Sequence, residues 1–175
     1  MIGGLDVLNS HRKQSATNIR NAIITISDTR NYETDKSGKI IKRLLEDAEH
    51  VVEQYIIVSD EEKKIQSAVE GMLNTDEIDV ILMNGGTGIA KRDVTIEAIR
   101  PFLDKELPGF GELFRYLSYE LDIGSASILS RAVAGAAGNK VIFALPGSSG
   151  AVTLAMEKII LKEIGHLVNE VRKDL

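Results

Sequence analysis

Three glycines fall within four residues in the run Met83-Asn84-Gly85-Gly86-Thr87-Gly88-Ile89-Ala90-Lys91-Arg92-Asp93-Val94-Thr95. An apolar stretch precedes them and a helix-forming one follows. Glycine has no Cβ, so backbone N–H groups can approach an anion unobstructed. A helix N-terminus behind the loop adds partial positive charge, and Lys91 and Arg92 bring full charges. These parts suit a phosphate. The spacing is not that of a P-loop, because no Lys-Ser or Lys-Thr closes it, and it does not match the dinucleotide fingerprint. Asp93 stands at the expected start of the next helix. An aspartate there can cap the helix. Beside a phosphate it can instead hold Mg²⁺, which relieves the repulsion between carboxylate and ligand.

Other strand-end turns carry similar residues. Asp60, in Ser59-Asp60-Glu61-Glu62, has a simple role as a helix N-terminal charge, worth a few tenths of a kcal/mol. Asp28 lies in the polar loop Ser27-Asp28-Thr29-Arg30. Asp28, Asp60 and Asp93 each follow a strand candidate. In a parallel sheet all three can reach one rim, the edge where ligands bind. Pro146-Gly147-Ser148-Ser149 repeats the order of strand, glycine, hydroxyl and helix. Ser148 or Ser149 caps there, and a cap hydroxyl can also donate to a phosphate. Asp35-Lys36-Ser37-Gly38 is a third such turn, read as a cap rather than a site. Arg131 is open to two readings of equal weight, surface ion pair or anion clamp.

The elements that must hold these residues alternate along the chain. Residues 22–27, 51–58 and 78–83 are short and β-branched, as buried strands are. Ile40, Ile41, Leu44, Leu45 and Ala48 fall at helical spacing after Ser37. Ser59 and Glu62 have the spacing of a capping box, which predicts a helix through Ile65, Val69 and Leu73. A helix over residues 94–103 is kinked or ended by Pro101. Pro108-Gly109 breaks the chain, and residues 110–121 form a further helix. Residues 132–135 and 141–144 flank Gly138-Asn139, a plausible antiparallel hairpin. A long last helix runs through Val152, Met156, Ile160 and Val168. This alternation is the signature of an α/β fold with a parallel sheet covered on both faces.

The bulk properties agree with one domain over residues 19–175, preceded by a polar arm, residues 1–18, read as loosely ordered or as an oligomer contact. The 175 residues suit a single domain of roughly 100–200. With 43% hydrophobic and 27% charged residues the chain can bury a core, and with 5% aromatics and no Trp that core is aliphatic. A net charge of −5 speaks against nucleic acid. The lack of Cys excludes thiol chemistry and Cys-zinc sites. His11, His50 and His166 have no metal-ligand spacing. Neither a signal peptide nor a membrane span is evident, so a cytoplasmic protein is expected.

The glycine run, with Arg92-Asp93-Val94-Thr95 and Glu97-Ala98, resembles the signature of the MoaB/Mog family of molybdenum cofactor biosynthesis proteins. Ser27-Asp28, Asp35-Lys36-Ser37-Gly38, Pro108-Gly109-Phe110-Gly111-Glu112, Leu129-Ser130-Arg131-Ala132 and Leu145-Pro146-Gly147-Ser148 resemble its other blocks, in the same order. The resemblance implies a three-layer α/β/α fold, a mostly parallel sheet with a short antiparallel hairpin. The implied ligand is molybdopterin, a phosphate-bearing pterin dithiolene. In the Mog branch the reaction is Mg²⁺-assisted adenylylation by ATP, before molybdate enters in a step shared with a molybdenum-insertion protein. Trimers or hexamers are implied, with neither nucleic acid nor membrane as partner. Residue by residue, Asp93 and Asp60 match the essential carboxylates and the Mg²⁺ site. Gly85, Gly86, Thr87 and Gly88 match the phosphate or nucleotide cradle. Ser27 and Asp28 match the binding set, and Arg131, Pro146, Gly147 and Ser148 the pterin side. The chain lacks the C-terminal extension common in the Mog branch and looks MoaB-type. That leaves a non-catalytic molybdopterin carrier as the alternative. A domain of the same fold acting on another nucleotide ranks third.

Overall fold

The computed structural model describes residues 18–174, so the expected arm lies outside the described residues apart from Asn18. Six strands form one sheet in the order β2-β1-β3-β6-β5-β4. They are β1 (Arg20–Ile26), β2 (Val51–Val58), β3 (Val80–Asn84), β4 (Lys105–Glu106), β5 (Val133–Ala137) and β6 (Lys140–Leu145). β2, β1, β3 and β6 pair in parallel. β5 runs antiparallel to both β6 and β4. The hairpin turns at Gly138-Asn139, where Ala137 faces Lys140 and Gly138 has φ +58.

Helices cover both faces. The first face carries α1 (Lys36–Asp47), α4 (Pro108–Leu121), α5 (Ser149–Ala155) and α6 (Leu161–Val171). Their side chains Ile41, Leu45, Phe114, Val152 and Ile164 pack with Ile23, Leu82 and Phe143 of the sheet. The second face carries α2 (Glu62–Leu73) and α3 (Thr95–Ile99). There Ile65, Val69 and Ile99 pack with Ile24, Ile81, Met83 and Ile142. Successive side chains of a strand point to opposite faces, so a strand buried on both must be apolar throughout. Every residue of β3 and β6 is buried, and all but Asn84 and Lys140 at their ends are apolar. The architecture is the expected three-layer α/β/α arrangement.

The register sets the site. Ile26 stands opposite Val58, Thr25 opposite Asn84, and Asn84 opposite Leu145. Four parallel strands therefore end level, and the loops that follow them emerge along one rim.

Three details depart from the sequence reading, and a fourth, the end of α3 before Pro101, agrees with it. α2 starts at Glu62 with Glu61 in the cap position and no side-chain cap bond; Ser59 Oγ donates to Glu61 Oε1 instead, so the capping box does not form. β4 is two residues long, too short for any pattern to mark. α3 ends at Ile99 and a 3₁₀ turn, Arg100–Phe102, carries Pro101, as a proline that lacks the N–H requires. The last helix is divided by a π-helical turn, Met156–Ile160, which leaves α5 and α6 as separate segments.

Candidate functional site

The glycine loop follows the middle of the sheet, between the ends of β1 and β6. Gly85 has φ +102, and a Cβ there would stand 2.2 Å from the Ile26 carbonyl oxygen. Only glycine fits that crossing. α3 clamps the loop from behind: Thr95 Oγ1 donates to the Gly85 carbonyl at 2.8 Å, and Thr95 N to the Gly86 carbonyl at 3.0 Å. Among the described residues the amides of Gly86, Thr87 and Gly88 have no acceptor. Unsatisfied amides grouped on one loop are suited to an anion.

A cavity of about 430 Å³ opens over this loop. Ser27, Arg30, Gly85, Gly86, Thr87, Gly88, Asp93, Arg131, Pro146 and Gly147 line it, with Ile123, Ala126 and Leu129 forming an apolar wall. That mixture of apolar wall and convergent polar groups is typical of small-molecule sites. Ser148 is not in the lining. It caps α5, where its side chain accepts from Ala151 N at 3.2 Å.

Asp93 is not the helix cap, because Val94 holds that position. Its carboxylate turns back and accepts from Ala90 N at 2.8 Å, close enough to Gly88 that a Cβ there would lie 2.6 Å from Asp93 Oδ2. Asp60 approaches the same loop at Gly86, where a Cβ would stand 2.9 Å from Asp60 Oδ1. Asp28 and Asp60 embrace reciprocally, Asp28 N donating to Asp60 Oδ2 at 2.9 Å and Asp60 N to Asp28 Oδ1 at 3.1 Å. Arg92 pairs with Asp28. Burial raises the Asp60 pKa, and the nearby charges of Asp28 and Asp93 add to the rise. No cluster of three or more His, Asp or Glu ready for a metal occurs among the described residues. The chemistry of the donor set nonetheless fits Mg²⁺, a hard cation bound through one or two carboxylates, ligand phosphate oxygens and water. Crowded carboxylates beside free amides offer that arrangement.

Arg131 forms an ion pair, braces the loop and also lines the cavity. It meets Glu97 through both terminal nitrogens, at 2.7 and 3.0 Å, and its Nε donates to the Thr87 carbonyl at 2.8 Å. The hydrogen bond and the charge together hold Glu97 below its ordinary pKa.

Beneath the cavity lies a buried polar network that sequence reading missed. Asp35 has no exposed surface. Thr25 Oγ1 and Tyr55 Oη each donate to it at 2.5 Å, Ser37 Oγ at 3.0 Å and Gly38 N at 3.1 Å. Burial alone would raise its pKa, but these donors outweigh burial and hold it below the ordinary value. Asn84, the last residue of β3, joins by donating its Nδ2–H to Thr25 Oγ1, and its Oδ1 shares with Asp35 the single hydroxyl proton of Ser37. Arg30 completes the network, its Nη1 on Ser37 Oγ at 2.6 Å and its Nη2 on the Gly147 carbonyl at 2.9 Å. The cap reading of Asp35 holds at Gly38. The polar type of Thr25 and Asn84, inside otherwise apolar strands, was the available signal for the rest.

Comparison with known proteins identifies the family and the fold. A family model described as a probable molybdopterin binding domain matches residues 22–166. The chain is 54% identical over 166 residues to molybdenum cofactor biosynthesis protein B of Bacillus cereus, covering 95% of this chain and 98% of that one. A crystal structure of a molybdenum cofactor biosynthesis protein B superposes with TM-score 0.88 at 55% identity, over 90% of this chain and 98% of its own. The tungsten cofactor synthesizing protein MoaB from Pyrococcus furiosus superposes with TM-score 0.80 at 37% identity, over 90% and 99%.

Proposed function

The chain belongs to the family of probable molybdopterin binding domains, and from that premise we propose that it binds molybdopterin and adenylylates it with Mg-ATP before molybdate insertion. The observation that carries the proposal is the conjunction at one rim of three free amides, at Gly86, Thr87 and Gly88, with the carboxylate of Asp60 close to Gly86 and that of Asp93 close to Gly88. In the reaction an oxygen of the pterin phosphate attacks the α-phosphorus of ATP. One P–O bond forms, and the bond to the departing pyrophosphate breaks. Such a transfer needs alignment and charge neutralisation rather than a covalent nucleophile. The loop amides would orient phosphate oxygens, and the apolar wall at Ile123 and Leu129 would seat the pterin. Bound Mg²⁺ would supply neutralisation of the developing charge, and Asp60 and Asp93 are the residues to hold it.

The reading includes a cytoplasmic homo-oligomer, trimer or hexamer, that passes its product to a molybdenum-insertion protein. Exposed apolar side chains such as Leu121 at 60% and Ile128 at 82% support assembly. The acidic charge speaks against a nucleic-acid partner, and no helix of the described residues is long and apolar enough to cross a membrane.

The test is a single-turnover assay with molybdopterin, ATP and Mg²⁺. Wild type is expected to form adenylylated molybdopterin, and Asp93→Asn to lose about 100-fold or more, the scale of removing one electrostatic contributor to a transition state. Tight molybdopterin binding without product would make the chain a carrier and sink the adenylyltransferase reading.

A further inference from the structure

Two cationic side chains line the cavity, Arg30 and Arg131, and they are committed differently. Arg131 faces Glu97 fork to fork and gives its Nε–H to the Thr87 carbonyl. Its charge is matched by a carboxylate that it does not share with a dense set of other donors. Arg30 meets Asp35 only at 3.5 Å, against 2.7 Å for Arg131 and Glu97. That carboxylate also accepts from Thr25, Tyr55, Ser37 and Gly38, so it does not engage Arg30 fork to fork.

The donor count points the same way. A guanidinium has five N–H donors. In Arg30, Nη1 serves Ser37 and Asp35 while Nη2 serves Gly147. The Nε–H and one Nη2 proton have no acceptor among the described residues. The side chain is 32% exposed, so these donors can be reached. Its position is also defined: Nη1 stands 3.6 Å from where a Cβ on Gly147 would be, and that same Cβ would lie 3.1 Å from Gly85 Cα. Arg30 therefore sits where the two glycine turns meet, in the wall of the cavity that Gly86, Thr87 and Gly88 also line. A guanidinium with two adjacent donors matches a phosphate in geometry as well as charge.

We propose that Arg30 clamps the phosphate of the bound ligand, and that buried Asp35 is the positioning residue that aims it. The proposal rests on the molybdopterin reading and adds to it which side chain takes the phosphate. Asp35 holds Arg30 directly and through Ser37, while Arg30 holds the Gly147 carbonyl. Cation and cavity wall are thus set together before any ligand arrives, which reduces the ordering that binding requires.

The experiment measures dissociation constants for molybdopterin and for its dephosphorylated form, anaerobically, with wild type, Arg30→Gln, Arg30→Lys and Asp35→Asn. Thermal melts run alongside. Loss of a charged hydrogen bond corresponds to roughly tenfold or more in affinity. Arg30→Gln is expected to weaken phosphorylated molybdopterin by about that factor and to leave the dephosphorylated form unchanged. Arg30→Lys keeps the charge without the fork and should fall between, which keeps the test valid if Arg30→Gln does not fold. Asp35→Asn should lower the same selectivity. Equal losses for both ligands, or none, would overturn the clamp while leaving the molybdopterin reading intact. Failure of wild type to bind either ligand would overturn the molybdopterin reading, and the clamp with it.

Discussion

Asp60 holds its carboxylate where burial disfavours the charge, with Asp28 and Asp93 adding repulsion and the Asp28 amide and Arg92 offsetting part of it. Its pKa in the fold lies above the ordinary value. A raised carboxylate pKa contributes stability below the unfolded value and loses it as pH rises through the folded one. At neutral pH the ionised side chain is therefore a burden on the free protein. Asp60→Asn keeps an oxygen for the Asp28 amide and removes the charge. It should melt above wild type at pH 7 in Mg²⁺-free buffer, with the gap shrinking towards pH 4 as the wild-type carboxylate takes up a proton. A melt at or below wild type at pH 7 would contradict this. Such strain is what a residue kept for ligand chemistry shows. Asp28, Asp60 and Asp93 were legible because each follows a strand. Their grouping was not legible: Asp93 enters the cavity lining, while Asp28 and Asp60 exchange amide–carboxylate hydrogen bonds next to Gly86, with Asp60 still near enough to feel the Asp93 charge.

At the scale of elements, the Asp35 network joins the ends of β1 and β3 and the middle of β2 to the start of α1, through Thr25, Asn84, Tyr55 and Ser37. Here the linkage has the opposite sign. The Asp35 pKa is depressed, so its stabilisation is present above the ordinary carboxylate value of 3.8 and is lost as pH falls through the folded one. Asp35→Asn should cost about 2 kcal/mol or more at pH 7, because buried donors lose a charged acceptor. Its stability should also fall less steeply than that of wild type below pH 4. Denaturant titrations at pH 7 and pH 3 read both effects, and parallel acid limbs would refute the assignment. The sequence showed the cap at Asp35 because that bond spans three residues, Asp35 to Gly38. It could not show Arg30 reaching Gly147, 117 residues away. Local spacing also misplaced the start of α2, where Ser59 and Glu62 had the right types but the chain enters the helix later, at Glu62.

For the whole molecule, alternating strand and helix patterns sufficed for the three layers, since a parallel sheet with two covered faces leaves few arrangements. The level strand ends were not written in any one segment. They follow from the register of β1 against β2 and β3, and of β3 against β6. That register turns separate turns at Ser27, Asp60, Gly85 and Gly147 into one rim, the proposed seat of molybdopterin. The direct measurement is a crystal structure of the protein with molybdopterin bound. The phosphate is expected within hydrogen-bond distance of the Gly86–Gly88 amides, with the pterin against Ile123 and Leu129. Ligand density at the other end of the sheet instead, in the apolar cavity bounded by Leu107, Leu167 and Val171, would contradict the account.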